Sequence, residues 1–279
     1  YGVFLFALFV LASGITVLQV SANPYVVVLG EERTAASRLN LAQAINSLGH
    51  TVGPMFGTML IFSGAATAVS AQAVQLPYLI LVGVALVTAG CFYFLKLPAL
   101  EQSQTQEDAT KPQDSIWKHK RLVLGALAIF MYVGAEVSVG SFLVNYFAES
   151  HIMAMNNYEA GKMVSYYWGA ALIGRFIGAA VMQKISGGKV LAFNAALAIV
   201  LIVVSMLSSG PIAMWTMLAV GLCNSIMFPT IFSLAINNLK EHTSQGSGIL
   251  CLAIVGGAII PVFQGMAADT IGLTLSFII

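Results

Sequence analysis

Long apolar stretches separated by short polar connections make up most of this chain: 1–29, 39–62, 76–95, 122–147, 163–182, 190–207, 212–236 and 246–267, with a stub from 271 onward. Crossing a hydrocarbon core of about 30 Å takes roughly 20 mostly apolar residues as a helix, and each stretch is close to that length. Strands of a membrane barrel are much shorter and alternate in polarity. The pattern therefore predicts eight transmembrane helices and the start of a ninth, with neighbours antiparallel across the short connections.

Composition agrees: 58% of the 279 residues are hydrophobic and 8% are charged, against about 25% charged in a soluble domain. A net charge of +1 leaves no basic surface for nucleic acid and no acidic tail. Cys91, Cys223 and Cys251 all lie in apolar runs and read as small buried hydrophobes, not as a disulfide framework or a zinc site.

Charge also orients the chain. Arg33, Arg38, Lys96, Lys111, Lys118, Lys120, Arg121, Lys184, Lys189 and Lys240 fall on one set of connections, which makes that face cytoplasmic. The other set carries Lys162, and Arg175 lies inside a span. The polar stretch 97–120 reads as a flexible cytoplasmic linker between an N-terminal half, 1–96, and a C-terminal half, 121–279. Both ends of the chain lie inside apolar runs, so it reads as part of a longer protein.

An internal repeat sets the frame. Gly49-x4-Pro54-x-Phe56 in the second span recurs as Gly256-x4-Pro261-x-Phe263 in the eighth. A proline in the preceding helix accompanies each copy, Pro24 in the first and Pro229 in the second. The copies stand six spans apart, and an even offset means parallel repeats about an axis along the membrane normal. The two six-helix halves of a major facilitator transporter are related in that way. On this reading the spans are helices four to twelve of a twelve-helix all-α membrane fold, the last truncated.

Ionisable groups in hydrocarbon are costly, so each is a functional candidate. Glu136, near the middle of its span, reads either as a coupling carboxylate for a cation or proton, or as an acceptor for sugar hydroxyls. A carboxylate held by an interhelical hydrogen bond or salt bridge is the structural alternative. Arg175 lies near the cytoplasmic side and reads as a gate or an interhelix salt bridge. Asn40, Gln43, Asn46, Ser47 and His50 recur at helical spacing and form one polar stripe. Amides both donate and accept, which suits a polyol; amides that hold helices together are the plainer reading. Gly49, Gly53 and Gly57 mark the back of that helix as a close contact. Gln19 and Asn23 stand just before Pro24, which frees a carbonyl one turn earlier. Asn145, Asn194 and Asn224 are further cavity candidates, and Tyr166, Tyr167 and Trp168 could stack on a sugar or belong to an interfacial belt.

No hydrolase, metalloprotease or nucleotide-binding motif is present in the sequence. The reading is not an enzyme, needs no cofactor or metal, and any energy comes from a gradient.

The runs Leu18-Gln19-Val20-Ser21-Ala22-Asn23-Pro24-Tyr25 and Arg38-Leu39-Asn40-Leu41-Ala42-Gln43-Ala44-Ile45-Asn46-Ser47 resemble the fucose/galactose/glucose:proton symporter family of the major facilitator superfamily. The run from Tyr132 to Phe147 resembles its glucose/galactose branch. The resemblance implies alternating access, a central hexose site and proton symport in the cytoplasmic (inner) membrane by a monomer. It further implies that Gln43 and Asn46 contact sugar. The position of Gln19 is a coupling Glu in fucose symporters of that family, and Gln cannot titrate. The coupling role therefore passes here to Glu136 with an Asp of the first helix. The sugar-binding set is Gln19, Asn23, Asn40, Gln43, Asn46, Asn145 and Asn224. Sodium-coupled sugar transport, a non-transporting sugar sensor and a hydrophobic-drug exporter are the alternatives, the last disfavoured by a site richer in amides than in aromatics.

Overall fold

The computed structural model describes residues 2–62, 75–96 and 115–279, with no side chain described at 50, 53–62, 157, 158 or 240. Among the described residues the chain is helical throughout and has no strand. The helices are α1 (Gly2–Val28), α2 (Ala35–Phe62), α3 (Gln75–Phe94), α4 (Lys120–Ala148), α5 (Asn157–Val181), α6 (Gly187–Leu207), α7 (Gly210–Asn224), α8 (Met227–Ile236), α9 (Thr243–Leu252), α10 (Gly256–Ile271) and the short α11 (Leu273–Ser276). Helices occupy all eight expected spans and the stub. Part of the expected linker, 97–114, lies outside the described residues.

Six spans among the described residues are long and apolar enough to cross a membrane: α1, α3, α4, α6, α7 with α8, and α9 with α10. The other two expected spans, α2 and α5, are of sufficient length, but Arg38, Asn40, Gln43 and Asn46 in one and Glu159, Lys162 and Arg175 in the other dilute their hydropathy. These two more polar helices supply much of the candidate site.

By its contacts the chain divides into two bodies, Tyr1–Ile45 with Glu107–Ile279, and Asn46–Gln106. In the first, α4 is central and packs against α5, α8 and α10, while α7 lies between α5 and α6 and α1 lies along α9. Glycines permit these close crossings. A Cβ at Gly256 would strike the Phe130 backbone, one at Gly134 the Ile260 side chain, and one at Gly221 the Tyr167 backbone. Without a hydrophobic drive between helices in lipid, such backbone approach and van der Waals packing carry the association. Outward faces are apolar instead of polar, as at Phe4, Phe9 and Leu18 of α1, which suits a lipid surround.

The second body holds the rest of α2 and α3, whose Leu79, Leu86 and Phe94 are exposed. Cys91 is exposed rather than buried, because on an apolar span the outward face is apolar too. A Cβ at Gly49 meets nothing within 4 Å among the described residues, and the neighbourhoods of Gly53 and Gly57 lie outside them.

Helix ends explain one motif directly. The last carbonyls of a helix lack intrahelical donors, and Arg38 Nη2 donates to Val27 O of α1 at 2.7 Å while its Nε donates to Val26 O at 3.3 Å. Arg38 Nη1 donates to Glu31 O at 2.7 Å, and a cation is favourable at a helix C-terminus. The arginine that opens the amide stripe is thus the cap of the helix before it.

Candidate functional site

Proline shapes the site before any side chain does. Pro229 has no N–H, so the Ser225 carbonyl four residues earlier loses its helical donor. The span breaks there into α7 and α8. Arg175 of α5 fills the gap, its Nε donating to Ser225 O at 3.0 Å. The Asn224 carbonyl at the same break accepts from the Tyr132 hydroxyl of α4 at 2.8 Å.

Glu136 stands one helical turn after Tyr132, and the two side chains are hydrogen-bonded. Arg175 is the opposite charge acting on the carboxylate, and Tyr167 of α5 lies near enough to sense the same charge. Asn224 closes the group, its Nδ2 donating to the Tyr167 hydroxyl at 2.9 Å. Three helices therefore bring Tyr132, Glu136, Tyr167, Arg175 and Asn224 into one hydrogen-bonded, charge-compensated cluster. Of these, Glu136, Arg175 and Asn224 were legible as separate candidates. The two tyrosines were not recognised as partners, although Tyr132 at one turn from Glu136 on the same face was a usable signal.

The amides on α1 and α2 form a second group. Gln43 Nε2 donates to Asn23 Oδ1 at 3.2 Å. Asn23 is only 5% exposed, and its Nδ2 has no acceptor among the described residues. Asn40 is fully buried and donates to Ala36 O at 2.8 Å and to Thr230 Oγ1 of α8 at 3.1 Å, while its Oδ1 has no donor there. Gln19 is half-buried one turn before Asn23. Asn46 is exposed and belongs to the second body.

Two candidates fall away from both groups. Asn145 is exposed, about 13 Å beyond Glu136 along α4 at 1.5 Å per residue. Asn194 donates to Val190 O of its own helix at 2.9 Å. Tyr166 is exposed, and Trp168 meets Tyr167 edge-on with ring centroids 5.2 Å apart.

The groups are joined. Arg175 Nη1 donates to the Gln43 carbonyl at 3.3 Å, so one guanidinium bridges α2 to the α7–α8 break. Nearer the basic face, Ser37 Oγ donates to Ala179 O at 2.6 Å and Arg33 Nη1 to Gln183 O at 3.2 Å. A cavity of about 690 Å³ opens on that face, lined by Glu32, Arg33, Lys184, Ser186 and Asn237 among others. It contains none of the cluster residues, and the chemistry lies deeper.

Among known proteins, the model of the Major Facilitator Superfamily matches residues 1–261. A glucose/galactose transporter of Brucella abortus is 55% identical over 281 residues, covering 100% of this chain and 68% of the relative. A putative glucose/galactose transporter of Helicobacter pylori is 47% identical, covering 99% of this chain and 69% of the relative. The L-fucose-proton symporter of Escherichia coli is 35% identical, covering 98% and 67%. Among solved structures, a variant of the E. coli fucose:proton symporter FucP superposes with a TM-score of 0.90 at 32% identity, over 99% of this chain and 73% of that one. FucP in the outward conformation gives a TM-score of 0.88 at 32% identity, over 99% and 72%.

Proposed function

Because the chain belongs to the Major Facilitator Superfamily, we propose that it carries the sugar site and the coupling carboxylate of a secondary active hexose transporter that works by alternating access and proton symport. The observation that carries the reading is the Arg175 bridge. One guanidinium acts electrostatically on Glu136 and donates to the backbone carbonyl of Gln43, which links a protonatable group to the amides suited to a sugar.

The chemistry follows from the parts. Asn23 and Gln43 offer donors and acceptors matched to hydroxyls, and the buried Asn23 Nδ2, which has no acceptor among the described residues, is a donor in waiting. Glu136, ionised, is offset by the charge of Arg175. A proton on Glu136 removes the charge that Arg175 answers and changes the balance that holds the guanidinium between the Gln43 carbonyl and the α7–α8 break. That gives the coupling a physical form: proton occupancy sets how firmly α2 is tied to the α7–α8 break. Gln19, Asn40 and Asn224 complete the proposed sugar-binding set, with Asn40 and Asn224 acting mainly by fixing helices, since both are committed to protein partners.

The bonds from α2 to α5 and α8 and from α9 to α1 support an arrangement closed toward the cytoplasm, and the likeness to FucP in the outward conformation agrees with it. We take 1–96 and 121–279 as the two rocking halves in the inner membrane, joined by a linker at 97–120.

The test is labelled glucose and galactose uptake by the complete transporter containing this chain, in a hexose-transport-deficient bacterial strain. Uptake abolished by a protonophore and unchanged when choline replaces sodium is the expected result. Uptake that follows sodium instead overturns the proton part, and saturable binding without uptake or counterflow across a panel of hexoses overturns the transport reading in favour of a sensor.

A further inference from the structure

Pro24 lies inside α1 and, like Pro229, has no N–H to offer the carbonyl four residues earlier. That carbonyl belongs to Val20. Inside a membrane an unmatched carbonyl is costly, so a donor must come from elsewhere. It comes from α9, where Ser247 Oγ donates to Val20 O at 2.9 Å. Ser247 is fully buried, so the hydroxyl has no solvent alternative in this arrangement.

The two prolines occupy corresponding helices of the internal repeat, and each freed carbonyl is capped from a neighbouring helix. They differ in one respect. Arg175 and Ser225 lie in the same half of the sequence, whereas Val20 and Ser247 lie in opposite halves. Rocking of the halves leaves the first bond intact and must break the second. The Ser247 bond sits on the side where Ser37, Arg33 and Asn40 also cross between the halves.

We propose that Ser247 is a gating residue, a latch that holds the basic face closed by capping the carbonyl freed by Pro24. The proposal rests on the alternating-access reading above. A neutral hydroxyl-to-carbonyl bond suits a gate that must open in every cycle. It is directional enough to fix the register of α1 against α9, and when the face opens, entering water can satisfy both groups.

The latch is tested in the complete transporter, with Cys91, Cys223 and Cys251 replaced and a reporter cysteine at Ala179. That site is 5% exposed and its carbonyl accepts from Ser37 of the other half, so it is shielded while the basic face is closed. N-ethylmaleimide labelling from that face reads the open fraction, and sugar uptake by the parent is measured in parallel. Ser247→Ala is expected to raise the labelling rate about fivefold, the effect of one buried neutral hydrogen bond. In a Pro24→Ala background, where Val20 O regains its own helical donor, the same change is expected to matter less, about twofold or under. Unchanged labelling in Ser247→Ala, or an equal effect in both backgrounds, overturns the latch. Failure of the parent to take up any hexose is a separate result, and it strikes the transport reading instead.

Discussion

Replacing Arg175 by methionine removes a side chain of similar length and tests the cluster most directly. Two charge-assisted hydrogen bonds are lost, to Ser225 O at 3.0 Å and to Gln43 O at 3.3 Å, each worth roughly 1.5–3 kcal/mol. Proline at 229 means that no helical N–H can take over at Ser225. Glu136 also loses the opposite charge that acts on it. Arg175 is half-buried and the second bond is long, so the low end applies to each bond and the two together come to about 3 kcal/mol. The assay is chemical denaturation of the purified transporter in detergent micelles. Glu136→Gln removes the uncompensated charge, so the double variant Arg175→Met/Glu136→Gln is expected to be more stable than Arg175→Met by about 1 kcal/mol or more. Strict additivity of the two single effects would show that the carboxylate and guanidinium do not sense each other, and the coupling argument would fall with it.

Glu136→Gln should abolish accumulation of sugar against its gradient while leaving exchange across the membrane, measured by counterflow; normal accumulation removes Glu136 from the coupling role. Gln43→Ala and Asn23→Ala should each weaken hexose binding about 5- to 20-fold, the worth of one or two hydrogen bonds, and equilibrium binding that stays unchanged in both variants would exclude the α1–α2 amides from the site. Gly256→Val forces a side chain into the Phe130 backbone and should lower folded yield and thermal midpoint sharply, whereas Gly161→Ala on α5 meets nothing within 4 Å and should be neutral or stabilising by up to about 1 kcal/mol. Arg38→Met leaves the Val26 and Val27 carbonyls without their donor and should cost about 1–3 kcal/mol, read as a lowered denaturation midpoint with no change in which sugar is preferred.

Length and hydropathy of the apolar runs determined the helices, because a lipid surround permits an isolated span only one way to satisfy its backbone. The repeat around Pro54 and Pro261, the isolated Glu136 and Arg175, and the amides beside Pro24 were legible for the same reason: polar groups and prolines in hydrocarbon stand out against it. What the one-dimensional pattern could not contain was pairing between spans. That Tyr132 and Tyr167 complete the Glu136 cluster, that Arg175 answers the carbonyl freed by Pro229, and that Ser247 answers the one freed by Pro24 became visible only when α4, α5, α7, α8, α9 and α1 were placed side by side. A proline announces a free acceptor in the sequence, but its donor can stand on any neighbouring helix, and packing through glycines such as Gly221 and Gly256 decides which one arrives.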